Sequence, residues 1–300
     1  MTLPDNDKNA GLVSPTSETN SLILHAQQVC SYGKCSYCAN FKEGKRDKFN
    51  IREFREFLEE ESGKYLSEEI DSVFLAEGNI IDMEVKKILE IMSAIKEFFP
   101  NVESISAYGS ALSVRQHKSK DFRVLREAGL SRIHMGFESG NDAVLELLNK
   151  GISSEEVAIA AQSILDAEIE LYMYVLVGSG GKELSNAHVQ DTAKCVNAIK
   201  PDLIECHTLT LVPHTPLHEL YEAGEFTPLS PHEAISEVKQ LIEEIDVEIG
   251  VSCSHVSNYC QIHGRLQADK VRLIGQLNTC LTIDEENFKD SGLLNITIPA

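Results

Sequence analysis

The 300-residue sequence predicts an α/β fold: a partial (β/α)6 TIM-like barrel of parallel strands with a short C-terminal extension. Three observations carry that expectation. Short apolar and β-branched runs alternate with longer amphipathic stretches, the rhythm of repeated βαβ units. Six such units fit between residues 22 and 209. Glycine and polar clusters recur just after the expected strands, where the loops of a parallel sheet gather into one site.

The elements follow in order. A first strand over Leu22–Val29 runs into a cysteine-rich loop, and a helix follows over Ile51–Glu61. The strand Ser72–Ala76 turns at Glu77-Gly78-Asn79 into a helix over Met83–Phe98. The strand Ser104–Ala107 ends in Tyr108-Gly109-Ser110, and the helix Lys120–Glu127 is followed by Gly129, placed for a left-handed cap. Arg132–Phe137 leads into Glu138-Ser139-Gly140 and then helices over Asp142–Leu148 and Ser154–Ala167, the second opening on a capping start at Ser153. Leu171–Val177 precedes Gly178-Ser179-Gly180-Gly181 and a helix over Ser185–Ile199. Leu203–Leu209 precedes Pro213-His214-Thr215-Pro216, and a helix over Pro231–Ile245 precedes a seventh strand at Glu248–Ser254. Residues 1–20, polar with Pro4, Gly11 and Pro15, read as a flexible leader. Residues 21–220 form the barrel, and 221–300 an extension that packs on or caps it.

Composition narrows the function. The chain carries 27 basic against 47 acidic residues, a formal charge of −20, with no Lys/Arg stripe interleaved with aromatics. Its one basic cluster is Lys42, Lys45, Arg46, Lys48 and Arg52. Such a surface repels a phosphate backbone and disfavours a nucleic-acid partner. No apolar run is long enough to span a membrane, and no signal pattern opens the chain, so a cytoplasmic home is expected. Eight cysteines without an export signal do not make a disulfide scaffold. Cys195, Cys206, Cys253, Cys260 and Cys280 are widely spaced and read as buried small hydrophobes, with an auxiliary metal site as the alternative.

The remaining three cysteines carry the chemistry. Cys30-x4-Cys35-x2-Cys38 places three thiols on one short loop, where disulfide pairing would leave one over. Three thiolates hold three irons of a [4Fe–4S] cube and leave the fourth iron open to a substrate. A plant-type ferredoxin shares the spacing but needs a fourth cysteine, and the next one here is Cys195. Structural zinc wants a fourth Cys or His, for which His25 is the nearby candidate.

Taken with the order of the other clusters, the chain resembles the radical S-adenosylmethionine superfamily over about residues 20–215, in the branch of the elongator catalytic subunit, the methylthiotransferases and the oxygen-independent coproporphyrinogen oxidases. The resemblance implies cluster ligation by Cys30, Cys35 and Cys38, one residue wider in the first gap than the usual family spacing. It implies that Tyr37 touches the adenine of S-adenosylmethionine and that Glu77, Gly78 and Asn79 receive its amino group, Asn79 standing in for an acidic residue. Gly136-Phe137-Glu138-Ser139 resembles the branch's Gly-x-Glu-Ser stretch, with Glu138 toward the ribose. Lys150 takes the place of an arginine that pairs with the methionine carboxylate, and Gly178 lies on the stretch that lines the adenine. The implied reaction is one-electron cleavage of the cofactor to a 5′-deoxyadenosyl radical, fed by a ferredoxin or flavodoxin, followed by hydrogen abstraction from a small-molecule substrate. Tyr108, His214, His255, Asn258 and Tyr259 are the candidates to meet that substrate. A radical-inactive iron–sulfur binding or electron-transfer protein, and a radical enzyme acting on RNA, are the alternatives.

Overall fold

The computed structural model of the chain describes residues 15–26, 30, 32–38, 49–65, 69–76 and 78–288. The expectations on residues 1–14, on 27–29, on the basic cluster from Lys42 to Lys48, on Glu77 and on 289–300 lie outside the described residues. The chain forms two compact units, one drawn from residues 1–33, 40–135 and 163–170, the other from 34–39, 136–162 and 171–300.

The first unit contains β1 (Leu22–His25), α1 (Ile51–Lys64), β2 (Ser72–Ala76), α2 (Val85–Phe98), β3 (Ser104–Ser110), α3 (Ala111–Val114), α4 (Ser119–Ala128) and most of β4 (Leu130–Glu138). β1, β2 and β3 pair in parallel, Leu22 opposite Val73 and Ser72 opposite Ser104. Val73, Phe74, Leu75 and Ala76 are all buried, which is why this strand reads as a continuous apolar run. α2 buries Ile88, Ile91, Met92 and Ile95, one stripe at helical spacing. Asn50 caps α1 by accepting the Arg52 N–H, and Gly129, at φ 115°, closes α4 in the left-handed region. Inside the span expected as a leader, Thr16–Glu18 makes a 3-10 turn with Glu18 only 2% exposed. Glu18 is folded inward because it meets Ser21 at 2.7 Å, Arg132 at 3.0 Å and His134 at 2.7 Å, three donors that replace water.

The second unit contains α5 (Asp142–Leu147), the larger part of α6 (Ser154–Leu165), β5 (Glu170–Val177), α7 (Gly181–Ile199), β6 (Leu203–Thr208), α8 (Pro216–Glu222), α9 (Pro231–Glu244), β7 (Gly250–Ser252), β8 (His263–Arg265) and α10 (Lys270–Cys280). β5, β6 and β7 are parallel, with Tyr172 opposite Leu203 and Leu203 opposite Gly250. β8 runs antiparallel to β7. The α/β fold with parallel strands is thus present; the antiparallel β8 is an addition to the six-unit expectation. Its three residues, His-Gly-Arg, carry no apolar signal.

Two of the five scattered cysteines depart from the expectation. Cys260 and Cys280 are buried but joined in a disulfide, which ties the segment after β7 to the end of α10. Cys206 and Cys253 are free and fully buried, as small hydrophobes are, and Cys195 is free and half-buried. Among the described residues, no helix is long and apolar enough to cross a membrane.

Candidate active site

In the second unit the chain from Lys34 to Cys38 is fastened to two helix ends. The Ser36 N–H donates to the Leu148 carbonyl at 2.9 Å and its hydroxyl to that of Leu147 at 2.8 Å, so two carbonyls left over at the end of α5 find partners. The Ser36 carbonyl accepts the Leu217 N–H at the start of α8 at 2.9 Å, and Asn149 donates to the Lys34 carbonyl at 2.8 Å. The half-buried thiols of Cys35 and Cys38 therefore ride on a segment whose backbone is fixed. Tyr37, between them, packs its ring against an apolar cluster of Val144, Leu148, Leu176, Leu217 and Phe226.

The Tyr37 hydroxyl donates to Glu138 Oε1 at 2.9 Å, and Lys150 Nζ donates to the same oxygen at 2.9 Å. Burial, with the Glu138 charge next to it, pushes the Tyr37 phenol well above its ordinary range, so it stays a donor at any working pH. Glu138 ends β4 at φ 66°, a strained position for a residue with a side chain. Gly136 explains how the carboxylate folds back: a Cβ there would sit 2.7 Å from Glu138 Oε1. The sequence suggests Glu138, Lys150 and Tyr37 separately. The structure joins them into one acid–ammonium–phenol cluster on the cysteine segment, with Glu138 buried and Tyr37 and Lys150 half-buried around it.

Asn79 belongs to the first unit and is 5% exposed. Its Nδ2 donates to Ser110 Oγ at 2.8 Å and Ser113 Oγ at 2.6 Å. Ser113 spends its own proton on Asp82, which fixes the orientation of the Asn79 amide. Asn79 Oδ1 is then a buried acceptor with no donor among the described residues. Such an atom costs about 1–3 kcal/mol unless a ligand supplies a hydrogen. Gly78 precedes it at φ 60°. Cys30, also of this unit, carries a free, half-buried thiol. Tyr108 packs edge-on against Phe74 at 4.9 Å.

A second group of the second unit lies at the end of β6. Along β5 and β6, Tyr172, Tyr174, Glu205 and His207 alternate with the buried Met173, Val175, Ile204 and Cys206. The His207 and His255 rings stack at 4.0 Å, and Tyr174 meets His207 edge-on at 4.9 Å. His255 Nδ1 accepts the Ser257 N–H at 3.2 Å, so the neutral ring carries its hydrogen on Nε2. Burial and the neighbouring His207 push His255 down to about 4, which keeps it neutral near pH 7.

The other candidates fall elsewhere. Asn258 donates to the Cys206 carbonyl at 2.7 Å and accepts from Thr208 at 3.0 Å, so it clamps a loop. Tyr259 packs on Phe288 at 5.9 Å. His214 is exposed at φ 66°, a conformation that suits glycine at that turn. Sequence reading missed His207 and also Glu237 of α9, which is 3% exposed and hydrogen-bonded at 2.6 Å to the Gly178 N–H. The signal was present: Glu237 interrupts the apolar positions Ala234, Val238 and Leu241.

The donor set suits an iron–sulfur cluster and S-adenosylmethionine. Three thiols outside any disulfide provide sulfur, and the orphaned Asn79 oxygen fits an ammonium. Among the described residues no three His, Cys, Asp or Glu side chains are already drawn together as a metal site.

Fold and site together define an iron–sulfur radical enzyme, and comparison with known proteins agrees. Residues 25–196, more than half of the chain, match the Radical SAM superfamily, and the chain belongs to that superfamily. It is therefore an enzyme whose cofactors are a [4Fe–4S] cluster and S-adenosylmethionine. A tRNA uridine(34) acetyltransferase from Methanocaldococcus infernus is 24% identical over 39% of this chain and 22% of its own length. Methylornithine synthase superposes with a TM-score of 0.56 at 16% identity, over 92% of this chain and 75% of that one. Coproporphyrinogen III oxidase from Escherichia coli, described as a radical SAM enzyme, gives 0.58 at 17% identity, over 74% and 51%. The expected fold and branch are both found among these relatives. The chain spans 39% and 22% of the lengths of two curated relatives matched over 139 and 117 residues.

Proposed function

We propose that Cys30, Cys35 and Cys38 ligate three irons of the cluster and that the chain uses the bound cofactor to take a hydrogen atom from a small-molecule substrate. The cluster supplies one electron, and S-adenosylmethionine supplies the 5′-deoxyadenosyl radical that abstracts the hydrogen. The chain's own residues bind, orient and shield. Asn79 Oδ1 accepts the methionine ammonium, next to Glu77 and Gly78 in sequence. Lys150 balances the methionine carboxylate as a point charge, without the fork an arginine would bring. Glu138 hydrogen-bonds the ribose hydroxyls, Gly178 lines the adenine, and Tyr37 locks Glu138 to the cysteine segment. His207 and His255 face the substrate, His255 as a neutral Nε2–H donor. A ferredoxin or flavodoxin delivers the electron.

The observation that carries this reading is the shared hydrogen bond of Tyr37, flanked by Cys35 and Cys38, with the Glu138–Lys150 pair. It builds a sulfur-bearing loop and a buried charge pair as one piece, which a mere carrier of electrons has no use for. The acidic surface favours a metabolite over RNA. The test is anaerobic reconstitution, reduction with dithionite and addition of S-adenosylmethionine, read by mass spectrometry. We expect 5′-deoxyadenosine and methionine from the wild type and neither from Cys35→Ser. Intact cofactor after prolonged reduction of cluster-loaded wild type would overturn the reading.

A further inference from the structure

We infer that Glu237 and His188 are positioning residues, the core of a buried polar spine that holds the turns after β4 and β5 in the geometry that binds S-adenosylmethionine. The inference rests on the placement of that cofactor at Glu138 and Gly178 proposed above.

The spine lies wholly within the second unit. Glu237 of α9 accepts the Gly178 N–H at 2.6 Å on one oxygen and the Ser185 hydroxyl on the other. One face of α7 presents Ser185, His188 and Thr192, all at helical spacing. His188 Nε2 lies 3.7 Å from Glu237, and its Nδ1 lies 2.8 Å from Ser139 Oγ. Ser139 in turn accepts the Asn141 N–H at 3.0 Å, and Thr192 accepts the Gly140 N–H at 2.9 Å. Gly140 has to be glycine, because a Cβ there would come within 2.4 Å of the Asp191 carbonyl. Two helices thus reach the backbone of both turns, the one starting at Glu138 and the one starting at Gly178.

Stability alone is a poor reason for this design. Glu237, His188, Ser139 and Thr192 are each at most 3% exposed. Burial pushes the Glu237 carboxyl up to about 7 despite its two donors, and pushes His188 down to about 4. Well-packed apolar residues would serve a core at least as well. What they could not do is accept the Gly178 N–H at a turn that leaves the strand, or set the direction of Ser139 next to the strained Glu138. His188, buried and uncharged, meets Ser139 Oγ through Nδ1 at 2.8 Å, while its Nε2 side packs against Glu237 at 3.7 Å, a contact and not a hydrogen bond.

The test compares Glu237→Leu, Glu237→Gln and Ser139→Ala in cluster-loaded enzyme, with S-adenosylmethionine as the probe in anaerobic equilibrium dialysis and in steady-state cleavage. Leucine strands the Gly178 N–H, so we expect the cofactor Kd and KM to rise about tenfold. Glutamine can still accept from Gly178 and donate to Ser185, so it should stay within about threefold of wild type. Ser139→Ala cuts the other end of the spine, and its effect on cofactor affinity should be less than additive with Glu237→Leu. Iron content and urea midpoint report folding separately. A folded, iron-replete Glu237→Leu enzyme with wild-type affinity would overturn the inference, as would strict additivity of Ser139→Ala with Glu237→Leu. Wild type that fails to bind the cofactor would instead overturn the placement beneath it.

Discussion

Glu18 shows how one side chain can couple stability to pH. Burial by itself would raise its carboxyl, but hydrogen bonds from His134 and Ser21, the His134 charge and Arg132 bring it from 4.5 down to about 2. A carboxyl lowered that far contributes about 3 kcal/mol. Because the folded value lies below the unfolded one, that contribution is present above about pH 4.5 and is lost as pH falls toward 2. Urea unfolding should therefore find Glu18→Gln less stable than wild type by a few kcal/mol at pH 7, with the gap closing near pH 2 to 3. A gap unchanged across that range would refute the pairing. Lys150 makes the complementary case. It shares Glu138 Oε1 with Tyr37, and replacing it with methionine leaves a carboxylate buried beside a phenol alone. Removing one partner of a buried pair costs about 3 kcal/mol, whereas Tyr37→Phe, which deletes a single hydrogen bond, should cost about 1 kcal/mol. Thermal or urea melts of the two variants check the order, and equal losses would contradict it.

At the scale of elements, the disulfide and Asn258 hold the segment between β7 and α10. Cys260 and Cys280 are 20 residues apart, a loop whose closure is worth about 3 kcal/mol by chain entropy. Cys280→Ser should lose about that much under non-reducing conditions, and wild type treated with a phosphine reductant should fall to the same value. Peptide mapping without reduction checks the link directly, and a free thiol at Cys280 would sink the prediction. This region also marks the limit of what the residues alone reveal. β2 is legible because a strand buried on both sides must be a run such as Val73-Phe74-Leu75, and β5 because buried residues alternate with Tyr172 and Tyr174 along it. The cysteine motif is legible because its ligands are neighbours in sequence. β8 is not, since His-Gly-Arg has no apolar pattern and exists through its ladder to β7. The end of α10 carries Leu273, Leu277 and Cys280 inward at helical spacing, but Cys280 looks like a lone thiol until the fold brings Cys260 to it. Likewise Glu138 and Tyr37 are 101 residues apart, and the partner of Glu237 is a backbone N–H that no side-chain pattern announces.

For the whole molecule the deciding quantity is charge. Forty-seven acidic against 27 basic side chains leave −20, and most lysines and arginines with a described partner are tied to carboxylates on their own helix or its neighbour, as Lys64 is to Glu61 and Lys182 to Glu233. Binding RNA would bring a polyanion to this surface, and the counterion release that drives such binding needs unpaired cations in a row. The relative that acts on tRNA matches over only 22% of its own length, so its means of holding RNA need not lie in the shared part. Total tRNA is therefore expected to show no retention in filter binding at about 0.15 M salt, and to leave the rate of 5′-deoxyadenosine formation unchanged. A several-fold stimulation by tRNA that falls steeply with added salt would reverse the assignment to a small molecule. Such stimulation would place the binding groups on one of the chain's two basic stretches, Lys42 to Lys48 or Arg115 to Arg126.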